Sequence, residues 1–299
     1  MTKFDVIIIG GSHAGLAAGM GLGRALRSVL IVDSGLPSNR FTPQSHNFLT
    51  QDGRTPAEIN LIAKSQVDQY ETVERVDGLV VSAEKSGDQF HVTLSDGTKC
   101  QASKLVFATG IVDILPDIPG FAECWGRSVL HCPYCHGYEV RDVKTGIIGN
   151  GDYAFEFGAL ISNWTSDLTI YTNGPSTLTS DQEAKLKSHG IRVVQENIKL
   201  LQHTNGYVET IGFANGDNEP VTAVYSRPGF TQHSDIPRSL GCEIGNDGYI
   251  TIDSGLRTTV PGVYACGDNV TRLRTVANAI AMGTTTAITL NKDMILESF

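Results

Sequence analysis

The sequence has no long apolar segment and little basic charge. None of its 299 residues falls in a stretch approaching the roughly 20 apolar residues of a membrane-spanning helix. It has 23 Lys and Arg against 32 Asp and Glu, a formal net charge of -9, which argues against nucleic acid or an anionic membrane surface as a partner. No basic segment followed by an apolar signal-peptide core stands at the N-terminus. We therefore expect a cytoplasmic protein.

Cysteine is also scarce, and its spacing excludes one class of protein. The six cysteines are Cys100, Cys124, Cys132, Cys135, Cys242 and Cys266. Only one pair is closely spaced, so the chain is not a disulfide framework of the small secreted kind, and we expect the other four cysteines to be small buried residues. Hydrophobic residues make up 40% of the sequence and charged residues 18%, which predicts a packed core, and the length suits two domains.

The close cysteine pair lies in the segment His-Cys-Pro-Tyr-Cys-His, residues 131–136. Two cysteines separated by two residues can close a small disulfide, and one of them can become a reactive thiolate. Such a pair exchanges electrons as dithiol and disulfide when a donor or acceptor lies nearby. We predict that Cys132 and Cys135 are catalytic. His136 is the first candidate for the acid/base, because an unperturbed histidine titrates near ~6.5, and His131 is the second.

Zinc binding is the main alternative for this segment, which offers four possible ligands. Neighbouring residues cannot easily converge on one tetrahedron, and structural zinc sites usually bring a distant second pair of ligands. The sequence has no second C-x-x-C or H-x-x-x-H motif. We therefore predict no metal site, and a non-enzymatic flavin-binding or zinc-binding module is the least favoured hypothesis.

A dinucleotide-binding fingerprint opens the chain. The apolar run Phe4–Ile9 predicts a buried parallel strand, and a glycine-rich turn, a helix and a second strand follow it. Gly10 suits the tight turn, Gly15 allows close packing of helix on strand, and Asp33 ends the second strand, where it can bind a ribose. Ser12 stands where the pattern has its middle glycine, and serine is small enough to keep the approach open.

A second fingerprint of the form G-x-G-x-x-A begins at Gly149 and ends at Ala154. Two copies of this unit predict two dinucleotide-binding-like domains. The strand after the second copy runs into Thr172-Asn173-Gly174-Pro175, with neither a basic residue for a 2′-phosphate nor an acid for a ribose. Binding of NADPH or NADH therefore stays open.

The rest of the chain is a series of strands, helices and loops. A polar loop over residues 34–51, which includes His46 and Asn47, is a candidate second wall for the cofactor. The expected elements are a helix over 56–70, strands over 73–81, 90–94 and 105–108, a linker over 112–120, strands over 129–130 and 168–171, a helix over 181–189, strands over 191–194, 208–213, 221–226, 248–252 and 263–268, the last ending in Gly-Asp, and a helix over 276–295.

The assembled pattern resembles the thioredoxin reductase-like flavoproteins, the low-molecular-weight pyridine nucleotide-disulfide oxidoreductases. Its marks are the turn from Gly10 with Asp33, Ala108-Thr109-Gly110, the C-P-Y-C segment, the turn from Gly149, and Cys266-Gly267-Asp268. The resemblance implies an α/β fold of two Rossmann-like domains, the second inserted in the first. It implies a discontinuous FAD-binding domain over 1–115 and 246–299, and a central NAD(P)-binding-like domain over 116–245 that carries the cysteines.

The resemblance also implies roles for individual residues. The FAD-binding set is Gly10, Ser12, Gly15, Asp33, Asn47, Thr109, Gly110, Gly267, Asp268, Thr275 and Val276. In that family Asp268 would contact the ribityl or phosphate region, and the backbone at Thr275 and Val276 would meet the flavin ring. Cys135 would lie nearest the flavin and Cys132 would exchange with the substrate. A homodimer is also implied.

Two details resemble one branch of that family. His136 stands where thioredoxin reductases have an aspartate, and the segments 117–125 and 170–174 look like those of dithiol oxidases that close disulfides in gliotoxin-type metabolites and pass electrons to oxygen. The function hypothesis is an FAD-dependent dithiol-disulfide oxidoreductase acting on a thioredoxin-like protein or a small dithiol or disulfide. The alternatives are an oxygen-dependent dithiol oxidase and a ferredoxin-linked or flavin-linked reductase. The substrate and the direction of electron flow stay open.

Overall fold

The computed structural model describes residues 2–299. The helices are α1 His13–Arg24, α2 Pro56–Val67, α3 Phe121–Cys124, α4 Pro133–His136, α5 Gly151–Ile161, α6 Ser180–Ser188, α7 Ile236–Ser239 and α8 Val276–Ser298, and a 3₁₀ turn covers Ser38–Phe41. The strands are β1 Thr2–Ile9, β2 Val29–Asp33, β3 Val73–Asp77, β4 Val80–Ser86, β5 Gln89–Leu94, β6 Lys99–Phe107, β7 Ile111–Ile114, β8 Val129–Leu130, β9 Thr145–Ile148, β10 Leu168–Tyr171, β11 Arg192–Val194, β12 Ile198–Thr204, β13 Tyr207–Phe213, β14 Asn218–Pro220, β15 Ala223–Ser226, β16 Gly229–Gln232 and β17 Val263–Ala265.

The chain divides into two compact units, each of α/β architecture. Unit 1 contains the residues up to Arg40, then Arg54–Val112 and Phe230–Phe299, and unit 2 contains Phe41–Gly53 and Asp113–Gly229. The strands β7 and β16 form a separate two-stranded sheet. The predicted fold class, with a second α/β unit inserted in the first, is confirmed.

Unit 1 is built on a seven-stranded sheet in the order β3-β2-β1-β6-β5-β4, with β17 also paired to β6. The strands β1, β2, β3, β6 and β17 run parallel, so their carboxyl ends meet at one edge of the sheet. Helices α1 and α8 pack together on one face, with Val6, Ile8, Leu16 and Leu22 in the core between sheet and helices. The residues from Val6 to Ile9 of β1 are buried on both faces of the sheet, with Ile7 and Ile9 in the core of the opposite face, which explains the apolar run at the start of the chain.

Unit 2 repeats the strand-helix-strand order on a smaller scale. Its parallel sheet has the order β11-β10-β9-β15-β8, and a separate three-stranded antiparallel sheet has the order β12-β13-β14. Its core forms two clusters, one around Phe121, Tyr171 and Phe213 and one around Ile147, Ile170 and Tyr225. The segment with Cys132 and Cys135 follows β8, an edge strand of the parallel sheet.

Three expected elements differ from the observed ones. The linker expected over 112–120 begins inside β7, and the single strand expected over 73–81 is two strands, β3 and β4, interrupted at Gly78. The strand expected over 248–252 is wrong: Ile250 and Ile252 form only isolated bridges, to Ile244 and Thr258. No neighbouring strand continues either bridge into a ladder, so the alternating pattern has no sheet to join.

The segment Phe230–Gly245 groups with unit 1, whereas the sequence placed it in the central domain. The ring of Phe230 lies 4.6 Å from that of Tyr249, and Gln232 donates hydrogen bonds to the carbonyl oxygens of Gly248 and Asn269. Ile236 is buried in the core on the second face of the unit 1 sheet. Each of these contacts joins residues that are distant in sequence. The sequence pattern therefore could not show that this segment packs with unit 1.

No helix within residues 2–299 is long and apolar enough to span a membrane.

An ion-pair network fastens α8 to the sheet of unit 1, and it carries a stability prediction. Arg257 donates to both carboxylate oxygens of Asp293, at 2.6 and 2.7 Å, and the Tyr264 hydroxyl donates to Asp293 at 2.7 Å. We expect Asp293→Asn to lower the free energy of unfolding by about 1–3 kcal/mol at neutral pH, because the substitution removes a charge-assisted pair whose Asp293 side chain is only 19% exposed. Urea denaturation followed by circular dichroism measures this difference in the free energy of unfolding.

The pH dependence of the destabilisation caused by Asp293→Asn tests that prediction. Arg257 holds the pKa of Asp293 below its usual value. The stabilisation by the ionised Asp293 carboxylate is therefore fully present above the unfolded pKa of about 3.9 and is lost as the pH falls through the folded pKa. The difference between the two proteins should therefore shrink in acid. The matched control is Asp88→Asn, in the exposed turn between β4 and β5, which should change stability by less than about 0.5 kcal/mol. Equal effects of the two substitutions would contradict the prediction.

Candidate functional site

The FAD-binding residues predicted in unit 1 lie at the carboxyl ends of its parallel strands. Gly10 follows β1, Asp33 ends β2, Thr109 follows β6 and Gly267 follows β17. The register aligns these ends, since Ile9 pairs with both Val32 and Phe107. This edge of an open parallel sheet is where α/β proteins bind their ligands.

The turn between β1 and α1 is built for close approach. Gly10 has φ +109°, and a Cβ added at Gly15 would collide with the Gly10 carbonyl oxygen. Only glycine at position 15 lets the helix start this close to the strand. Ser12 is the N-cap of α1 but makes no side-chain capping hydrogen bond, and the first turn has no acidic residue. The N–H groups at this helix end therefore remain available to an anion.

His13 stands in the first turn of α1, and sequence reasoning missed it. It is 7% exposed, and its Nδ1 has no hydrogen-bond partner among residues 2–299. Burial lowers the pKa of His13 from 6.5 to about 4, so the ring is neutral at physiological pH. A histidine inside the fingerprint turn was the only signal in the sequence.

Asp33 lies beside this turn. Its Oδ1 accepts a hydrogen bond from the Gly35 N–H at 3.2 Å, and its Oδ2 is 3.7 Å from Lys64 Nζ. A Cβ added at Gly11 would lie 2.6 Å from the Asp33 Cβ, so the Asp33 side chain packs directly against the turn. A carboxylate at this position is able to accept hydrogen bonds from a ribose, and the assignment of Asp33 to that role stays a prediction.

Asn269 is a second residue that sequence reasoning missed. It is fully buried, and its Nδ2 donates to the Phe107 carbonyl oxygen at 2.9 Å and lies 3.4 Å from Thr109 Oγ1. Its Oδ1 has no hydrogen-bond partner among residues 2–299. Asn269 ties the end of β6, with Thr109 and Gly110, to the Gly267-Asp268 segment, and its position directly after that motif was the only signal.

The last predicted contacts lie around the start of α8. Asp268 Oδ2 accepts a hydrogen bond from Ser38 Oγ at 3.3 Å and is 3.7 Å from Arg274 Nε. Thr275 is the N-cap of α8 and accepts a hydrogen bond from the Asn278 N–H, so Val276 is the first residue of the helix. These residues belong to unit 1, like the Gly10 turn.

Asn47 is not part of that group. It lies in the segment Phe41–Gly53, which belongs to unit 2. Its backbone has φ +58°, and its N–H donates to Asp52 Oδ1 at 2.7 Å. Its assignment as an FAD contact stays a prediction.

The cysteine segment of unit 2 forms a disulfide on a short helical turn. Cys132 and Cys135 are bonded, with their Cα atoms 5.3 Å apart. Pro133 is the first residue of α4, where its missing N–H costs no helical hydrogen bond, and the Gly137 N–H donates to the Pro133 carbonyl at 2.6 Å. Both cysteines are half-buried, so a thiol can reach them from solvent.

The two candidate histidines have different surroundings. Burial first, and the positive charge of His46 second, lower the pKa of His136 from 6.5 to about 4. His136 is therefore neutral in the disulfide state, and its role as the acid/base stays a prediction. The ring of His131 lies 5.9 Å from that of Trp125, tilted by 35°. A neutral imidazole next to Cys135 can accept a proton once a thiolate develops beside it.

Aromatic residues flank the disulfide. Tyr134, between the two cysteines, is 63% exposed, and its ring meets Trp164 edge to face with centroids 5.7 Å apart. Tyr138 is also exposed, with the Arg141 guanidinium 4.0 Å above its ring. A substrate thiol that reaches the disulfide would meet this surface.

The four other cysteines are buried free thiols, as predicted: Cys100, Cys124, Cys242 and Cys266. Burial raises the pKa of each one, which makes them unreactive at neutral pH. Within residues 2–299, no group of three or more His, Cys, Asp or Glu side chains could hold a metal ion.

The second fingerprint, at the start of α5, is closed by residues of the chain itself. Asn150 Oδ1 accepts hydrogen bonds from the N–H groups of Gly151 and Thr177, at 2.9 and 2.8 Å, and Asn150 Nδ2 donates to the Pro175 carbonyl at 2.9 Å. Asp152 also adds an acid to the first turn of α5. The end of α5 is thus capped and negatively charged, whereas the end of α1 is neither.

Comparison with known proteins gives a consistent result. The family model of pyridine nucleotide-disulphide oxidoreductases matches residues 4–283. The thioredoxin reductase tcpT of Claviceps purpurea is 32% identical over 93% of this chain and 90% of its own length, and the thioredoxin reductase aclD of Aspergillus oryzae is 29% identical over 95% and 94%. The crystal structure of an oxidoreductase from Agrobacterium tumefaciens has a TM-score of 0.93 and 36% identity, with 99% of both chains covered.

Proposed function

Since the chain belongs to the pyridine nucleotide-disulphide oxidoreductase family, we propose that it moves electrons between FAD and the Cys132–Cys135 pair, and on to or from a thioredoxin-like protein or a small dithiol. The resemblance to thioredoxin reductase-like flavoproteins is confirmed, and with it the enzyme class. The observation that carries the finer proposal is the half-buried disulfide on the α4 turn.

Members of this family bind FAD and use NAD(P)H. The residues of unit 1 fit FAD, because the Gly10–Gly15 turn leaves room for a pyrophosphate, the α1 end is uncapped, and Asp33 stands beside the turn. The partnerless Asn269 Oδ1 and His13 Nδ1 are further polar atoms that a bound group can satisfy. FAD, when bound, supplies the two-electron chemistry, and the chain supplies binding and the thiol exchange.

The exchange can be written in either direction, and oxidation of a dithiol is the example. One substrate thiolate attacks Cys132 Sγ, which forms a mixed disulfide and releases Cys135 as a thiolate. The second substrate thiolate then attacks the substrate sulfur that is bonded to Cys132, which releases Cys132 as a thiolate and closes the substrate disulfide. The pair gains two electrons and the substrate loses two. His136, neutral beforehand, takes the proton that the first substrate thiol gives up as it becomes the attacking thiolate, and can pass that proton to the released Cys135 thiolate.

A second candidate is an oxygen-dependent dithiol oxidase, and the closed turn at Asn150 favours it. A nicotinamide nucleotide would have to displace the Asn150–Thr177 hydrogen bonds and approach a helix end that carries Asp152. Arg and Lys are absent from residues 172–175, where a 2′-phosphate would need them. Both features oppose reduction by NADPH while leaving the exchange at Cys132 and Cys135 unaffected.

An anaerobic titration of the flavin absorbance tests both candidates. NADPH, NADH and a dithiol such as dithiothreitol are added to separate samples of the FAD-loaded protein. We expect the dithiol to bleach the flavin at least about tenfold faster than either nucleotide, with the colour restored on admitting air, because the disulfide is half-buried while Asn150 closes the α5 turn. Rapid bleaching by NADPH would instead support an NADPH-driven reductase, and no bleaching by any of the three would point to a different donor, such as ferredoxin.

A further inference from the structure

A lysine of α2 stands against the acid that is predicted to bind the ribose of FAD. Lys64 lies in the last turn of α2, and its Nζ is 3.7 Å from Asp33 Oδ2, at the end of β2. The Lys64 side chain is 28% exposed and the Asp33 side chain 18%, so water screens the pair only in part. Both residues belong to unit 1. They are distant in sequence, and no local pattern joins them.

The Asp33 side chain is held from three sides. Its Oδ1 accepts the hydrogen bond from the Gly35 N–H at 3.2 Å, and Lys64 approaches its Oδ2. Its Cβ packs against the turn at Gly11. The backbone is fixed as well, because the Gly78 N–H donates to the Asp33 carbonyl at 2.8 Å. A carboxylate offers about four lone-pair sites, so this oriented group keeps acceptor positions for the hydroxyls of a ribose.

The neighbouring charges make Lys64 the counter-ion of Asp33. In the parallel pairing of β2 and β3, Asp33 has Asp77 as its Cα partner, so a second acid stands beside the first. The other cation of this region, Arg75, is engaged by Asp68, to whose two carboxylate oxygens it donates at 2.6 and 2.7 Å. Lys64 therefore supplies the positive charge that offsets the repulsion between Asp33 and Asp77.

We propose that Lys64 is a positioning residue for the flavin cofactor, which holds the Asp33 carboxylate oriented to accept the ribose hydroxyls of FAD. The inference rests on the proposed function, and in particular on FAD binding at the carboxyl edge of the unit 1 sheet. An acceptor that is already oriented loses little rotational freedom when the ribose arrives, so the contact between Lys64 and Asp33 raises the affinity for FAD. Lys64 itself touches Asp33 and acts on the cofactor through it.

Two other roles of Lys64 would not depend on Asp33. A cation in the last turn of a helix interacts favourably with the helix dipole, so Lys64 could serve only the end of α2. Its positive charge could also attract the phosphates of FAD directly. A double-mutant cycle separates both roles from the proposal, because only a positioning role requires the Asp33 carboxylate to be present.

The test is calorimetric titration of the apoprotein with FAD at about 0.15 M salt, which screens distant charges. We expect Lys64→Gln to weaken FAD binding by about three- to fivefold in the wild-type background, and by less than about 1.5-fold in the Asp33→Ala background. Lys64→Arg keeps a positive charge within reach of Asp33, so its affinity should stay within about twofold of the wild type. The matched control is Lys99→Gln, an exposed lysine at the opposite end of β6, which should leave FAD affinity unchanged.

Two results would overturn the proposal while leaving the FAD site in place. One is an equal loss of affinity from Lys64→Gln in both backgrounds, which would mean that Lys64 acts without Asp33. The other is wild-type affinity in Lys64→Gln, which would mean that Asp33 needs no counter-ion. Failure of the proposed site looks different, because Asp33→Ala alone would then bind FAD as tightly as the wild type does. That result would remove the ribose acceptor and the role of Lys64 together.

Discussion

Cys135→Ser is expected to abolish turnover of dithiols and disulfides, with a loss of roughly a thousandfold or more. Serine has nearly the same shape as cysteine but forms no disulfide, so the pair can no longer store two electrons. The protein should still fold and bind FAD, because the Cys132–Cys135 turn belongs to unit 2 and the FAD-binding residues of the Gly10 turn belong to unit 1. Steady-state oxidation of dithiothreitol in air, with the flavin content measured separately, gives the result.

Comparison of the two cysteine variants separates their roles. In Cys135→Ser the Cys132 thiol remains, and we expect it to be trapped by a substrate disulfide as a stable mixed disulfide, because no partner thiol can resolve it. In Cys132→Ser the remaining Cys135 thiol should be trapped more slowly if Cys132 is the exchanging residue. Mass spectrometry of the intact protein after reaction with an aromatic disulfide distinguishes the two. Equal trapping in both variants would contradict the assigned order.

Cys100→Ser is the matched control for this pair of variants. Cys100 is a buried free thiol on β6, and burial raises its pKa, so it takes no part in exchange at neutral pH. Its replacement should leave turnover within about twofold of the wild type.

Substantial activity in Cys135→Ser would remove the basis of the proposed function, since the remaining free cysteines of residues 2–299 are all buried.

Much of the FAD-side geometry could be predicted because it is local in sequence. The turn from Gly10 to Gly15 is set by residues within one strand-turn-helix unit, and their spacing is legible without a structure. Asp33 follows from the same unit, because adjacent parallel strands end at one edge. The disulfide was predictable for a similar reason, since its two cysteines are separated by only two residues.

Features that depend on pairing across the chain could not be predicted in this way. Strand β12 was missed because two irregularities in its pairing with β13, near Ile198 and Gln202, break the alternation of apolar and polar residues. Residues 248–252 alternate well but have no continuous partner. The closure of the α5 end by Thr177 likewise joins segments that are distant in sequence, and no periodicity records such a contact.

The flavin site has its own decisive substitution, Gly15→Ala. The added methyl group would overlap the Gly10 carbonyl oxygen, so α1 must move away from β1 and the turn must open. We expect the purified protein to contain less than about a tenth of the normal FAD, because the helix N–H groups and the turn no longer fit one pyrophosphate. The visible absorbance of the purified protein measures flavin content directly.

Two further variants keep this prediction informative if Gly15→Ala folds poorly. Gly229→Ala is the matched control, because its added methyl meets only Ile114 Cδ1, at 4.0 Å, and the variant should retain flavin.

Asp33→Ala leaves the backbone of the turn intact and removes only the carboxylate. We expect it to weaken FAD binding by about 10- to 100-fold, the cost of losing charged hydrogen bonds to a ribose. Calorimetric titration of the apoprotein with FAD measures that loss. Full flavin content in Gly15→Ala together with wild-type affinity in Asp33→Ala would exclude this edge of the unit 1 sheet as the FAD site, because the same two residues define both the close approach and the ribose acceptor.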